Sequence, residues 1–290
     1  MEKIVRIEER RSLKELTTFG IGGPARYFCE AVSVEDLSEA LEHCHQNNIP
    51  FFILGKGSNT LFDDRGFDGM VILNKIFHME QKGSVVEVGA GYSFSLLGVQ
   101  TARKGWSGLE FASGIPGSVG GAIYMNAGAS GGETFTTLST VTFVDVYGEV
   151  HIYPKESLKW GYRFSSFQNM KGAIAAARFE LSPSEEARKK QLSIVDYRTK
   201  TQPYGAMSAG CVFRNPVPQS AGALIEKCGL KGFRIGGAEV STLHANFLIN
   251  SGGASAADIL ALAHHVKEVV KEKTGADLEM EVRVIPYSSP

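Results

Sequence analysis

Apolar positions along the chain change their period several times, and each change marks an element. Leu37, Ala40, Leu41 and Cys44 recur at helical spacing. Ser33 with Asp36 three residues on predicts a capping box at the start of that helix, and Asn47-Asn48 ends it. Pro50 leads into the unbroken apolar run Phe51–Leu54, the pattern of a short buried strand, which passes straight into Gly55-Lys56-Gly57-Ser58-Asn59. The order then repeats. Val85-Val86-Glu87-Val88 reads as a strand ending at Gly89-Ala90-Gly91, and a helix from about Ser95 to Lys104 stops at Gly105. From 138 to 181 short β-like runs alternate with turns. Ser182-Pro183-Ser184-Glu185 has the proline and acid of a helix start. Beyond it the pattern predicts a strand at 211–214, a helix around 220–228 and a strand at 245–250. Ser255 then caps a helix that Gly275 closes. The last element alternates strictly: Leu278, Met280, Val282 and Val284 on one face, Glu279, Glu281 and Arg283 on the other.

A length of 290 residues favours two domains or three small ones, with the polar segment SPSEEARKKQ at 182–191 as the expected boundary. A formal net charge of -1 gives no global basic field, so nucleic acid and anionic lipid are not expected partners and any phosphate must be bound locally. No apolar run approaches the ~20 residues of a membrane span. The start MEKIVRIEERRSLKEL lacks the apolar core of a signal peptide, which leads to the expectation of a cytoplasmic protein without membrane insertion. Cys29, Cys44, Cys211 and Cys228 show no CxxC spacing and read as buried free thiols. His43 and His45 stand two apart on a predicted helix and point to different faces; His264-His265 is no better placed. No metal site is expected.

The 33 glycines cluster at 55–57, 83–98, 105–121, 128–132 and 229–237, where backbone must turn tightly or approach something closely. In Gly55-Lys56-Gly57-Ser58-Asn59, small residues after a buried strand let several N–H groups converge on one anion, as a diphosphate cradle would. The segment is neither a P-loop nor GxGxxG, and a tight turn carrying a lysine fits it as well. Gly114-Ile115-Pro116-Gly117-Ser118-Val119-Gly120-Gly121-Ala122 is more telling. Its four glycines in eight residues remove side chains from one surface, which suits a flat or phosphorylated ligand lying on bare backbone. Taken singly, Tyr162-Arg163 reads as a surface arginine, Glu281 as part of a solvated strand face, Cys211 as a small core residue, and His244 is ambiguous.

Together the motifs resemble one family. TTFxIGGPA at 17–25, GKGSN at 55–59, GLEFxxGIPGSVGGAxYMNAGA at 108–129 and YRxSxF at 162–167 resemble the UDP-N-acetylenolpyruvoylglucosamine reductases. So do TQP at 201–203, SAGCVFRNP at 208–216, GLKGxxxGGAxVSxxHANF at 229–247 and LExEVR at 278–283, so the likeness covers nearly the whole chain in order. The resemblance implies an α+β fold: an FAD-binding module of the vanillyl-alcohol-oxidase type over 1–183, in subdomains of about 1–75 and 76–183, and a smaller α+β substrate-binding domain over 184–290. It implies non-covalent FAD on Gly55–Asn59 and on Gly114, Ile115, Pro116, Gly117, Ser118, Gly120, Gly121 and Ala122, with NADPH as reductant. The implied substrate is the enolpyruvyl ether of UDP-N-acetylglucosamine, reduced to UDP-N-acetylmuramate.

By the same resemblance Arg163 and Glu281 act on the substrate carboxylate, and Cys211 stands where many members carry a serine proton donor. Tyr162, Arg198, Gln202 and Asn215 are the implied substrate-binding residues. No room exists between 165 and 205 for the inserted subdomain of the longer members, so the chain is similar to the shorter type II group, and a monomer is expected. Two other readings stand beside this one. A flavin oxidase of the wider family often attaches FAD through histidine or cysteine, and neither occurs in the 55–59 or 114–122 loop. A nucleotide-binding sensor without turnover leaves Arg163, Cys211 and Glu281 unexplained.

Overall fold

The structure, a computed structural model, describes residues 5–288, so Met1 to Ile4 of the charged start lie outside the described residues. The chain divides between two compact units. Of the described residues, one holds 5–9, Tyr27–Lys56 and Gly69–Arg198; the other holds Arg10–Arg26, Gly57–Asp68 and 199–288.

The first unit is built on an antiparallel sheet in the order Val150–Pro154, Leu138–Asp145, Gly172–Glu180, Val85–Gly89 and Met79–Lys82. Side chains alternate across it and separate two cores. Val141, Phe143, Ile174, Ala177 and Phe179 pack with Phe94 and Leu97 of the helix Phe94–Arg103 and Ile123 of the helix Val119–Tyr124. Val144, Ala173 and Ala175 turn the other way, against Leu37, Ala40, Leu41 and Cys44 of the helix Val34–Gln46. That helix starts as expected: Ser33 Oγ accepts the Asp36 N–H at 3.1 Å while the Asp36 carboxylate accepts the Ser33 N–H at 3.2 Å. The strand Phe51–Leu54 is the parallel neighbour of Met70–Leu73. Buried Asn74 joins the two cores, donating to the Ile174 carbonyl at 2.8 Å and accepting from Ile76 N–H at 3.1 Å.

The helix start expected at Ser182 does not form. Ser182–Pro183 is a short strand opposite Trp106–Ser107, and the helix runs Ala187–Thr201. Leu181 N donates to Ser84 O at 2.8 Å and Ser184 N to Gly105 O at 2.7 Å. Pro183 sits between these anchored peptides, where its missing N–H costs nothing.

The second unit has an antiparallel sheet in the order Met207–Cys211, Phe247–Asn250, Ala238–Val240 and Arg234–Ile235. The helix Ala256–Thr274 packs on it through Ile259, Leu262, Val266 and Val270, and the core also takes in Phe19, Ile21 and Leu61 from far upstream. Arg283–Ile285 runs parallel to Thr60–Phe62. The long helix carries the expected caps, Ser255 and Gly275, the latter in the left-handed region at φ 74°, and Ser255 also forms a box with Asp258. Asp64 reinforces its start by accepting the Ala256 N–H at 2.7 Å and the Ala257 N–H at 3.2 Å.

Two strand expectations shift. The strand predicted at 211–214 instead ends at Cys211, and Val212 and Phe213 are buried beyond it. At the C-terminus the regular strand is only Arg283–Ile285. Leu278 and Val282 point inward as expected, but a bend at Val282 resets the alternation, leaving Val284 40% exposed and Ile285 buried.

Replacing Ser255 by Ala removes one half of the capping box and is expected to destabilise the protein by about 1 kcal/mol in chemical denaturation. A change within error would show that Asp64 alone satisfies that helix end.

Candidate active site

The first glycine loop begins where Phe51–Leu54 leaves its parallel neighbour. Among the described residues, the backbone N–H groups of Lys56, Gly57, Ser58 and Asn59 donate to no protein acceptor. Four adjacent free donors at the end of a strand form a ready anion site. The loop is braced from behind: Thr18 donates to the Gly57 carbonyl from its N–H at 3.2 Å and its hydroxyl at 3.3 Å. Gly57 has φ +61°, and a Cβ there would lie 2.2 Å from the Leu16 carbonyl, so only glycine fits. This is the structural use of the 17–25 motif.

The second loop is tied to its surroundings by backbone and by two side chains. Ser95 Oγ accepts the Gly114 N–H at 2.7 Å, and Arg198 donates to the Gly114 carbonyl at 3.0 Å. Val119 N donates to Tyr92 O and Gly120 N to Ala90 O, at 2.9 and 2.8 Å. Ser118 caps the helix Val119–Tyr124 by accepting the Gly121 N–H at 3.3 Å. Within the first unit Gly55 comes against this loop: a Cβ on Gly55 would lie 2.3 Å from Ser118 Oγ. Arg198, expected among the substrate-binding residues, is buried on the helix Ala187–Thr201 with its guanidinium on this loop.

Tyr162 and Arg163 form the two-residue turn of a hairpin in which Trp160 pairs with Ser165 and Gly161 with Phe164. Arg163 stands at φ +57°, a conformation that costs a non-glycine residue about 1 kcal/mol or more. Its surroundings hold it there. Gln168 Nε2 donates to the Arg163 carbonyl at 3.0 Å and to the Tyr124 carbonyl at 2.9 Å, and Ser165 Oγ donates to the same Tyr124 carbonyl at 2.8 Å. Asn126 Nδ2 donates to the Gly161 carbonyl at 2.9 Å while its Oδ1 accepts the Phe135 N–H at 3.1 Å. The guanidinium carbon lies 5.0 Å from the centroid of the 53% exposed Tyr162 ring, which leaves the charged end beside an accessible aromatic face. Asn126, 1% exposed, was not among the expected site residues, although it lies in the MNAGA tail of the glycine motif.

In the second unit Cys211 and Glu281 lie on neighbouring segments. Ser208 pairs with Ile249 but Cys211 with Phe247, so three steps on one strand oppose two on the other. The extra residue is a bulge at Gly210, φ +75°, which re-aims the side chain that follows it. Unlike the three buried cysteines, Cys211 is only partly covered. Just after it, the Val212 carbonyl accepts the Glu281 N–H at 2.7 Å and the Val282 N–H at 3.5 Å. Asn59, last residue of the first glycine loop, donates its side-chain amide to the Glu281 carbonyl at 3.2 Å, and its own carbonyl accepts the Arg283 N–H at 3.1 Å. Asn215 Oδ1 accepts the Ala221 N–H at 3.0 Å at the start of the helix Ala221–Lys227. Gln202 follows the helix Ala187–Thr201, and its carbonyl accepts the Tyr204 N–H at 2.8 Å.

Residues 202–285 match the family model of the UDP-N-acetylenolpyruvoylglucosamine reductase C-terminal domain, and residues 25–153 match that of an FAD binding domain. The UDP-N-acetylenolpyruvoylglucosamine reductase of Protochlamydia amoebophila (strain UWE25) is 63% identical over 277 residues, 95% of this chain and 92% of that protein. The protein of the same name from Chlamydia trachomatis serovar A is 45% identical over 282 residues, 97% of each chain. The crystal structure of the UDP-N-acetylenolpyruvylglucosamine reductase from Thermus caldophilus superposes with a TM-score of 0.84 at 39% identity, over 97% of this chain and 100% of that one.

Two outcomes are expected from this geometry. Gly55→Ala drives a methyl group into Ser118 Oγ and should weaken binding of added FAD by about tenfold in a fluorescence titration; unchanged binding would show that the loops part freely. Burial pushes the Cys29 thiol up to about 12 and Cys44 to about 11, and Cys228 is buried too. Iodoacetamide at pH about 8 should therefore label Cys211 first, since the thiolate is the nucleophile. Peptide mapping that finds Cys29 or Cys44 labelled at the same rate would contradict this.

Proposed function

The chain belongs to the UDP-N-acetylenolpyruvoylglucosamine reductase family, and on that premise we propose which of its residues carry the reaction. The protein is an FAD-dependent oxidoreductase that uses NADPH to reduce the enolpyruvyl ether of UDP-N-acetylglucosamine to UDP-N-acetylmuramate, a peptidoglycan precursor. We assign residues 1–183 to flavin binding and 184–290 to the sugar nucleotide, in a cytoplasmic monomer of the type II group. Among the described residues no helix is long and apolar enough to cross a membrane.

The residues present suit FAD. The unengaged N–H groups of Lys56–Asn59 are a match for its diphosphate, and the bare backbone where Gly55 meets Ser118 leaves no side chain in the way. Gly55–Asn59 with Gly114, Ile115, Pro116, Gly117, Ser118, Gly120, Gly121 and Ala122 would hold it, without a covalent bond. What FAD supplies when bound is hydride transfer in two stages, from NADPH and then to the methylene carbon of the enolpyruvyl group.

As hydride reaches that carbon, negative charge develops on its neighbour and spreads into the attached carboxylate. Arg163 offers a planar, permanently charged fork for that carboxylate, carried on a hairpin turn whose backbone is held by Gln168 and Asn126. Glu281 in its acid form donates a hydrogen bond to the same group. Cys211 gives the proton of its thiol to the charged carbon and recovers one from solvent. A thiol, with a reference pKa of ~8.5, holds its proton near neutrality yet releases it far more readily than an alcohol does. Tyr162, Arg198, Gln202 and Asn215 are assigned to substrate binding, Arg198 acting through the Gly114 carbonyl. The observation that carries the assignment is the Val212 carbonyl, which joins the segment of Cys211 directly to that of Glu281.

The test follows flavin absorbance anaerobically. In Cys211→Ala, bleaching by NADPH should stay within about twofold of wild type, while recovery on adding the enolpyruvyl substrate slows on the order of 100-fold. Wild-type recovery would remove Cys211 from the chemistry.

A further inference from the structure

The HANF segment at 244–247 has no part in the chemistry above, and its geometry points to one. Asn246 is 1% exposed, and both ends of its side-chain amide engage one residue. Its Oδ1 accepts the Phe213 N–H at 2.9 Å and its Nδ2 donates to the Phe213 carbonyl at 2.8 Å. Its backbone carbonyl accepts the Val212 N–H at 2.8 Å. The ladder between Met207–Cys211 and Phe247–Asn250 ends at the Cys211–Phe247 pair, just past the bulge. From there one asparagine supplies three hydrogen bonds, one from its backbone and two from its side chain, that continue the hold on the neighbouring segment.

The opposite edge of the same stretch is held by the C-terminal segment. Val212 O takes the Glu281 N–H at 2.7 Å, Phe213 bridges to Met280, and Arg214 N donates to Glu279 O at 2.9 Å. Val212 and Phe213 are thus gripped from both sides, immediately after Cys211. Asn246 is itself oriented: its N–H donates to His244 Nδ1 at 3.2 Å, which requires a neutral imidazole with that nitrogen unprotonated. Burial favours the neutral ring by lowering the His244 pKa. The ring is wedged against Phe247, with centroids 4.9 Å apart, and a Cβ on Gly222 would lie 3.2 Å from its Cε1.

We propose that Asn246, oriented by His244, is the positioning residue for the Cys211 thiol. It fixes the Val212–Phe213 backbone and so sets Cys211 against Glu281. This rests on the reading of Cys211 as proton donor. Any residue without both a donor and an acceptor at this point leaves a buried peptide group of Phe213 unpaired, and the backbone shifts to recover it. A thiol displaced by a fraction of an ångström protonates carbon poorly, while NADPH oxidation, which does not use it, continues.

The experiment compares the FAD-loaded wild type with Asn246→Ala, Asn246→Asp and Cys211→Ala in both half-reactions, with thermal unfolding and flavin content recorded alongside. Asn246→Ala should bleach with NADPH within about twofold of wild type and recover with substrate on the order of 10- to 100-fold more slowly, at little changed substrate Kd. If Asn246→Ala gives no folded holoenzyme, Asn246→Asp carries the test alone. Ionised, its carboxylate repels the Phe213 carbonyl; protonated, it donates and accepts as asparagine does. Its recovery step, divided by that of wild type at the same pH, should therefore rise as pH falls from about 8 to about 6, while its bleaching step stays at the wild-type rate throughout.

Wild-type recovery in the Asn246 variants, with Cys211→Ala slow, overturns the positioning role and leaves the reading of Cys211 intact. Wild-type recovery in Cys211→Ala overturns that reading and the inference with it. Asn246 variants that lose both half-reactions or their flavin in parallel would make Asn246 a general structural residue and also overturn the proposal.

Discussion

A single carbonyl oxygen, that of Val212, sets the geometry of the second unit. It accepts the N–H of Glu281 at 2.7 Å, and in doing so makes the segment after Cys211 the template for the last stretch of chain. Asn59 fastens that stretch from its far side, through its side chain to Glu281 O and its carbonyl to Arg283 N–H. In both bonds to Glu281 the partner, the Val212 carbonyl or the Asn59 amide, is neutral. Directional bonds to the backbone in a covered setting hold the two segments side by side, because each donor left unpaired there would cost about 1–3 kcal/mol.

The first unit solves the corresponding problem with strain. Arg163 is held in the left-handed region by bonds that reach its hairpin from Gln168, Ser165 and Asn126, all converging on the stretch that follows the second glycine loop. One folded segment, from Gly114 to Ala129, therefore both exposes the bare backbone assigned to the flavin and fixes the arginine assigned to the substrate. Within that segment Asn126 serves the hairpin, through its bond to the Gly161 carbonyl.

Much of this was legible in the sequence wherever local chemistry decides the outcome. The capping box at Ser33, the cap at Ser255, the αL glycine at 275 and the run Phe51–Leu54 into its glycine loop each depend on residues a few positions apart. Family likeness, not periodicity, singled out Arg163, Cys211 and Glu281. The misread points all depend on distant partners. Pro183 looked like a helix start because Trp106, its strand partner, lies 77 positions away. The strand at Cys211 ends early because a bulge is defined against Phe247. Val284 breaks an alternation that would have continued in isolation, because Thr60–Phe62 reset the register. Asn126 and Asn246 carried no signal of their own, since a buried asparagine in a loop motif looks the same whatever it binds.

The upstream segments 10–26 and 57–68 that pack into the second unit also dictate when that unit can form. Asn250 reaches back 231 residues to the Phe19 carbonyl, and Asn59 reaches forward 222 residues to Glu281. On the ribosome these early segments emerge long before their partners exist, so the first unit has the time to fold while they wait. Closing loops of that size is entropically slow and comes late. The late strand Arg283–Ile285 pairs with one of the waiting segments, at Thr60–Phe62. A chain folding as it emerges thus holds a finished first unit and an open second one until that late strand arrives, so the second unit's folding is paced by synthesis.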